Sequence, residues 1–198
     1  MMLHEKLEPY QLILASQSPR RQYLLKELGL EFESKLKQMV EETFPDHLQR
    51  EEIPLFLAEK KALVFLPDLS DNTIVITADT IVWQNNTVVQ KPNDKAEAVK
   101  ILKSLSGKTH TVYTGVCLLS RNKQRLFYSG TEVLFKSLTD EEIEYYVSHF
   151  KPYDKAGAYG VQEWIGYIGV ERINGSFYNV MGLPVQHLYQ ELLDFLRE

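Results

Sequence analysis

The sequence predicts a mixed α/β fold with several antiparallel strands. Three observations lead to this prediction: short apolar runs bounded by turn residues, helix-capping signals between these runs, and an Asn-Asn pair that joins two short apolar segments. No internal repeat, low-complexity tract or Gly/Ser-rich linker interrupts the sequence. We therefore expect residues 1–198 to form a single domain.

The apolar runs predict the strands. The pair Asn85-Asn86 is expected to form a two-residue hairpin turn, and Asn174-Gly175 a second turn, because these residues tolerate positive φ. The strands are expected at residues 11–15, 73–78, 81–83, 87–89, 109–119, 126–135, 164–170 and 176–180.

Capping residues predict the helices. Ser18 followed by Pro19 is typical of a helix N-terminus, and Asp94 is expected to cap another helix. Thr139 and Glu142 form the pattern of a capping box. The helices are expected at residues 19–28, 53–66, 95–106, 139–150 and from residue 184 onward.

Composition and charge exclude several classes of protein. The chain is 44% hydrophobic and 25% charged, which is typical of a globular protein, and its 11 Tyr and 9 Phe exclude disorder throughout. A net charge of −5 disfavours a non-specific nucleic-acid binder. The single cysteine, Cys117, allows no internal disulfide and is expected in the core. With no signal-peptide pattern and no apolar run of roughly 18 residues, a cytoplasmic protein without membrane partners is expected.

The segment from Ser16 to Arg21 is a candidate anion site. A helix N-terminus carries partial positive charge, so Arg20 and Arg21 in its first turn are locally unfavourable unless an anion binds there. Backbone N–H groups, serine hydroxyls and a guanidinium could together hold a phosphate. A surface helix with solvated arginines explains this segment equally well.

Asp79 is a second candidate site residue. It follows an apolar strand, at the carboxyl end where α/β proteins usually form clefts. If Asn85-Asn86 is the hairpin turn, Thr80 lies opposite Lys91, and Asp79 comes close to that lysine. A structural ion pair is the simpler interpretation, whereas with a phosphate present the pair would form a metal or water site beside a neutralising cation.

The loop at residues 151–162 is a third and weaker candidate. It contains the acid–base pair Asp154-Lys155 together with glycines and tyrosines, which suits either ligand binding or turn geometry. Several known nucleotide and metal motifs are absent from the sequence, namely GxxxxGK[ST], GxGxxG and HExxH.

Taken together, these segments resemble the Maf family of septum-formation-inhibitor-like nucleotide pyrophosphatases. The resemblance implies an α/β fold related to the inosine triphosphate pyrophosphatases, with an elongated mixed sheet and flanking helices. It also implies a metal-dependent hydrolase that cleaves the α–β phosphoanhydride of a nucleoside triphosphate. The matching motifs lie in order at residues 14–21 (LASQSPRR), 78–80 (ADT), 91–92 (KP), 105–107 (LSG), 110–115 (HTVYTG), 154–162 (DKAGAYGVQ) and 179–184 (NVMGLP).

The resemblance also implies roles for individual residues. Asp79 matches the family's proposed proton acceptor, which activates water or helps to hold a divalent cation (Mg²⁺, Mn²⁺ or Co²⁺). Glu42, or Glu41 beside it, matches a motif acid and is the second candidate metal ligand. The implied substrate-binding residues are Ser16, Arg20, Arg21, Lys61, Thr80, Lys91, Asp154, Lys155 and Gln162.

Three of these residues bear on substrate choice. Arg20, Thr80 and Gln162 match positions typical of the branch that acts on dTTP and UTP. The Gln162 amide can donate to and accept from a uracil or thymine edge. Two departures from the family pattern flank site residues and could change base preference: Gln90 and Glu163 each stand where the family often has Gly.

The main prediction is therefore a dTTP/UTP pyrophosphatase whose partner is its nucleotide substrate. One alternative is a 7-methyl-GTP pyrophosphatase. Another is a nucleotide-sensing division regulator without turnover, which the retained Asp79 and Lys91 disfavour. Members of the family are commonly homodimers, whereas composition does not establish the oligomeric state.

Overall fold

The computed structural model describes residues 2–38 and 40–197. The strands are β1 (Gln11–Leu14), β2 (Glu33–Ser34), β3 (Thr73–Gln84), β4 (Thr87–Val89), β5 (Thr109–Leu119), β6 (Gln124–Phe135) and β7 (Val170–Asn174). The helices are α1 (Leu3–Leu7), α2 (Pro19–Glu27), α3 (Glu52–Leu63), α4 (Lys95–Leu105), α5 (Asp140–Phe150), α6 (Trp164–Gly169), α7 (Phe177–Met181) and α8 (Val185–Phe195). None of the helices in the described residues combines the length and the apolar composition that a membrane span requires.

The strands of the described residues form one mixed sheet. Their order is β2-β1-β3-β5-β6-β7, and β4 pairs with β3 outside this path. Strand β1 runs parallel to β2 and β3, whereas β4 is antiparallel to β3 and β7 is antiparallel to β6. Strand β3 is buried along most of its length, as expected of a strand covered on both faces. The predicted mixed α/β class is confirmed.

The chain divides into two compact units. Unit 1 contains Met1–Asp79, Thr114–Ser129 and Gly182–Glu198, and unit 2 contains Thr80–Tyr113 and Gly130–Met181. A single domain over residues 1–198 stays a prediction.

Local sequence signals explain several elements in detail. The Ser18 hydroxyl accepts the backbone N–H of Arg21, which confirms Ser18 as the N-cap of α2. Asn85 and Asn86 adopt φ values of 50° and 58°, and the hairpin pairs Val82 with Val89, as the predicted turn requires. The predicted caps of α4 and α5 are also confirmed.

Other boundaries differ from the prediction. Strand β3 extends through Asp79, which therefore lies inside a strand rather than after its end, because the hairpin continues the same strand. Helix α3 ends three residues before the predicted boundary at residue 66, and a short 3-10 turn, Leu66–Asp68, contains Pro67. The strand predicted at residues 126–135 begins two residues earlier in β6.

The hairpin predicted at residues 164–170 and 176–180 is wrong. Helix α6 replaces its first strand and helix α7 its second, while β7 lies between them and pairs with β6. At Gly166 a Cβ atom would lie 1.9 Å from the Val161 carbonyl oxygen, so this segment packs closely as only glycine allows. The Ser176 hydroxyl accepts the N–H of Asn179, the kind of bond that starts a helix.

Unit 1 has a core in which α3 packs on the sheet. Cys117 belongs to this core, as predicted, and burial raises the pKa of its thiol to about 12. The buried residues of this core are Ile13, Ala15, Ala58, Ala62, Phe65, Leu69, Val75, Cys117 and Leu119.

Candidate active site

In unit 1, helix α3 lies unusually close to the sheet. A Cβ atom at Gly115 of β5 would lie 2.4 Å from the Leu55 nitrogen and 2.4 Å from the Pro54 carbonyl carbon, so a side chain there would displace the helix backbone. On the same helix, the Ala58 carbonyl accepts a hydrogen bond of 2.6 Å from the Thr77 hydroxyl of β3. These two contacts fix α3 against both strands.

This packing brings Lys61 to Asp79. Lys61 lies three residues after Ala58 on the helix, and Asp79 lies two residues after Thr77 on the strand, so each pair shares a face. The Lys61 ammonium donates to Asp79 Oδ1 at 2.5 Å and to Glu42 Oε1 at 2.8 Å. The Asp79 side chain is 9% exposed and that of Glu42 is 47% exposed. Lys61, Asp79 and Glu42 are referred to below as the Lys61 cluster.

Lys60 holds the loop that carries Glu42. Its ammonium donates to the carbonyl oxygens of Glu41 at 2.9 Å and Thr43 at 3.3 Å. The two consecutive lysines therefore have different tasks, since Lys60 binds the loop backbone and Lys61 binds its acid. The structure places Glu42, rather than Glu41, beside Lys61.

Arg21 supports the strand segment next to Asp79. Its guanidinium donates to the Ala78 carbonyl at 2.9 Å, to the Gly182 carbonyl at 2.8 Å and to the Ser16 hydroxyl at 3.5 Å. Burial lowers the pKa of Arg21, and the negative charge of Asp79 opposes this shift. Ser16 and Arg21, both predicted as site residues, therefore contact each other, and Arg21 also binds Ala78, directly before Asp79.

In unit 2, a second lysine lies between two carboxylates. Lys155 is 8% exposed, and its ammonium lies 2.7 Å from Asp154 Oδ1 and 3.1 Å from Glu163 Oε1. The Tyr146 hydroxyl donates to Glu163 Oε2 and accepts the Gly160 N–H at 3.0 Å. Burial raises the pKa of Tyr146, and its hydrogen bond to Glu163 adds to this effect. Lys155, Asp154, Glu163 and Tyr146 form the Lys155 cluster.

Gln162 lies next to this cluster in the chain. Its Oε1 atom is buried, and no described residue forms a hydrogen bond with it. A buried acceptor without a partner costs about 1–3 kcal/mol, so a ligand donor at this atom would be favourable.

The structure groups the predicted site residues by unit. In unit 1 the contacts above connect Ser16 and Arg21, and they connect Glu42, Lys61 and Asp79. In unit 2 they connect Asp154 and Lys155. Arg20 is partly exposed in the first turn of α2, Thr80 directly follows Asp79 in β3, and Lys91 is exposed after β4.

The sequence did not reveal two members of the Lys155 cluster. In the sequence, Glu163 stands out only as a departure from the family pattern, and nothing there indicates which residue it binds. Tyr146 is fully buried on α5, and a tyrosine on the apolar face of a helix carries no signal of a polar role.

The donor set around Lys61 is suitable for a divalent cation. Within residues 2–38 and 40–197, no three His, Cys, Asp or Glu side chains gather into a metal-binding group. Mg²⁺, however, usually takes only one or two protein carboxylates and completes its shell with water and substrate phosphates. Asp79 and Glu42, which meet at one ammonium, fit this requirement.

The chain is similar to known proteins along nearly its whole length. The family described as Maf-like protein matches residues 11–195. A dTTP/UTP pyrophosphatase of Phocaeicola vulgatus is 54% identical, with 95% of this chain and 97% of the relative covered. Relatives of the same name in Parabacteroides distasonis and Christiangramia forsetii are 52% and 49% identical, covering 96% and 98% of this chain and 99% of each relative. The solved structure of a HAM1 protein from Coxiella burnetii has a TM-score of 0.49 and 17% identity, covering 93% of this chain and 99% of that one.

Proposed function

Because this chain belongs to the Maf family, we propose that it is a pyrophosphatase that hydrolyses dTTP and UTP to the nucleoside monophosphate and pyrophosphate. The relatives named dTTP/UTP pyrophosphatase share about half of its residues over nearly full length, which supports this substrate class. The structural observation that carries the proposal is the Lys61 cluster, in which a nearly buried carboxylate meets a second acid at one ammonium.

Asp79 is the proposed general base. A carboxylate has about four lone-pair sites, so Asp79 can accept from Lys61 and also take a proton from water. The water oxygen then forms a bond to the α-phosphorus, the bond from this phosphorus to the bridging oxygen breaks, and pyrophosphate leaves. Because Asp79 is buried, the Lys61 ammonium attracts its carboxylate more strongly than it would in water.

Cationic side chains are proposed to bind the phosphates. The triphosphate brings roughly four negative charges, which exposed lysines and arginines alone would bind weakly in water. The N-terminus of α2 adds backbone N–H groups and the positive end of a helix dipole beside Ser16. The proposed phosphate ligands are Ser16, Arg20, Arg21, Lys61, Lys91 and Lys155, and Asp154 is proposed to hold Lys155.

A divalent cation is proposed to bind at Asp79 and Glu42. When bound, such an ion neutralises phosphate charge and lowers the pKa of a coordinated water. Glu42 is half exposed on a loop, so it can adjust to an ion, whereas β3 fixes the position of Asp79. Mg²⁺, Mn²⁺ and Co²⁺ are the candidate ions.

Gln162 is proposed to recognise the base. Its buried Oε1 can accept the N3–H of uracil or thymine, and its amide nitrogen can donate to a neighbouring carbonyl of the base. Cytosine presents an acceptor at N3, so the same contact would disfavour it. Arg20 and Thr80 are the other proposed specificity residues.

Location and assembly are part of the same proposal. A nucleotide pyrophosphatase acts where nucleoside triphosphates are made and used, so we propose that the protein is cytoplasmic. A homodimer is the proposed assembly, and light scattering of the purified protein would measure its mass.

The decisive experiment measures pyrophosphate release from a panel of nucleotides. The panel contains dTTP, UTP, CTP, GTP and 7-methyl-GTP, each with Mg²⁺, Mn²⁺, Co²⁺ or a chelator. We expect preferential hydrolysis of dTTP and UTP and loss of activity with the chelator. Asp79→Asn should lower turnover by about 10²–10⁴-fold, because it removes the base, while nucleotide binding is retained.

The matched control is Asp71→Asn, which changes an aspartate whose side chain is 82% exposed. Retained hydrolysis in Asp79→Asn would remove this residue from the mechanism. Hydrolysis of 7-methyl-GTP alone would overturn the specificity. Binding of every nucleotide without turnover would instead identify a sensor.

A further inference from the structure

We infer that Tyr146 and Glu163 are positioning residues that fix Gln162 for base recognition. This inference rests on the proposed function, because it assigns the support of the proposed base-reading residue. The residues involved all belong to unit 2.

The Tyr146 hydroxyl forms hydrogen bonds with both ends of the turn that contains Gln162. The Glu163 N–H donates to the Gly160 carbonyl at 2.9 Å, which closes a turn with Gln162 inside it. The Tyr146 hydroxyl accepts the Gly160 N–H and donates to the Glu163 carboxylate. Tyr146 therefore binds the first and the last residue of this turn.

The carboxylate of Glu163 lies directly over the start of the turn. A Cβ atom at Gly160 would be 2.7 Å from Glu163 Cδ and 3.0 Å from Gln162 Nε2, so both side chains pack against the bare backbone. This contact limits where the Gln162 amide can lie. Gln is a flexible side chain, and fixing its surroundings in advance lowers the entropy lost on binding.

The support is itself firmly held. Tyr146 is fully buried on α5, which begins with a capping box. Glu163 Oε1 binds Lys155, and the Glu163 carbonyl accepts the Gly166 N–H at 2.9 Å at the start of α6. The turn is thus attached to two helices and to a nearly buried lysine.

A double-mutant cycle tests this role. The quantity measured is the ratio of kcat/KM for UTP to that for CTP, because these bases differ at the edge that Gln162 would read. We expect Gln162→Ala and Tyr146→Phe each to lower this ratio about tenfold, the effect of one well-placed hydrogen bond. The double variant should lower it little further, since both changes remove the same recognition.

Two further variants sharpen the test. Glu163→Gln keeps an acceptor for Tyr146 but removes the charge facing Lys155, so a smaller decrease of about threefold is expected. Tyr145→Phe makes the same chemical change one residue earlier, on a side chain that is 46% exposed, and should leave the ratio unchanged. If Tyr146→Phe fails to fold, the cycle between Glu163→Gln and Gln162→Ala decides.

Equal losses for UTP and CTP, or additive effects in the cycle, would show a merely structural role and overturn the inference. The same cycle measured as nucleotide Kd, without turnover, separates this outcome from failure of the proposed function. Coupling in Kd without hydrolysis would refute only the activity. Absence of any UTP preference in both binding and turnover would refute both.

Discussion

Lys61 and Lys155 bind the same kinds of side chain, but the carboxylates that they bind differ in burial and in their other partners. Each binds one aspartate and one glutamate. At Lys61 the buried acid is Asp79 on a central strand, and the exposed acid is on a loop. At Lys155 the exposed acid is Asp154, and the more buried acid, Glu163, also accepts the hydroxyl of Tyr146.

The difference shows that an ion pair alone does not define a catalytic site. Both carboxylate oxygens of Glu163 have protein partners, so this acid is fully engaged in holding its turn. In the Lys61 cluster the acids share one ammonium, and half of the Glu42 side chain is open to solvent. We interpret the contacts of Glu163 as structural, since they hold its turn and the proposed phosphate ligand Lys155 in place. We interpret the two acids of the Lys61 cluster as a place where a divalent cation can bind.

The largest predicted difference between the units is in how their stability depends on pH. His110 in unit 2 is buried beside Phe135 and Tyr159, and burial lowers its pKa from 6.5 to about 4. As the pH falls below 6.5, the unfolded chain binds a proton at this histidine that the folded protein does not bind. The free energy of unfolding is therefore highest above pH 6.5 and decreases as the pH falls toward 4. The loss should reach about 3 kcal/mol in the free energy of unfolding, measured by urea titration.

Replacing one histidine in each unit tests this assignment. His110→Asn should flatten the dependence of unfolding free energy on pH between 7 and 4, although the variant is less stable at pH 7. His47→Asn changes an exposed histidine of unit 1 and should keep the wild-type slope. Equal slopes for wild type and His110→Asn would contradict the prediction.

Replacing each lysine by methionine tests whether a divalent cation can bind to the carboxylates that remain. Lys61→Met and Lys155→Met each remove charge-assisted bonds, and we expect each to lower stability by about 2 kcal/mol. Mg²⁺ should raise the Tm of Lys61→Met, since Asp79 and Glu42 remain as ligands. It should raise the Tm of Lys155→Met much less, because Tyr146 still engages Glu163. Equal recovery of both variants, measured by thermal denaturation, would remove the distinction.

The smallest predicted effect compares two helix caps. Ser18→Ala in unit 1 and Asp94→Ala in unit 2 should each cost about 1 kcal/mol of stability, because each removes one N-cap hydrogen bond. Only Ser18→Ala should also raise the KM for UTP, since α2 begins at the proposed phosphate site. A similar KM in the two variants would argue against an anion site at α2.

Much of the fold could be predicted because its signals are local. Ser18-Pro19 starts a helix and Asn85-Asn86 turns a hairpin with the expected register, and both depend on only a few neighbouring residues. The error at residues 164–180 has the opposite cause. Apolar residues there suit a strand or a helix equally well. In the structure the Glu163 carbonyl accepts the N–H groups of Gly166 and Tyr167, which begins α6.

The candidate site was predictable as a set of residues but not as an arrangement. The end of an apolar strand indicates Asp79, the family resemblance indicates Lys61, and the hairpin register indicates Lys91 as a neighbour of Asp79. The contact between Lys61 and Asp79 instead depends on how α3 packs, which no local pattern encodes. Tyr146 stayed hidden because its role depends on a turn fourteen residues away.

The bare backbone at Gly115 gives the protein a point of low mutational tolerance outside its reactive groups. Every substitution there adds at least one carbon where the backbone of α3 already lies, so the helix must shift and carry Lys61 with it. In a library of random variants, those with a substitution at Gly115 would lose activity, as variants of a catalytic residue do, although glycine has no functional side chain. Efforts to evolve a new base preference would therefore keep Gly115 constant and diversify the turn around Gln162.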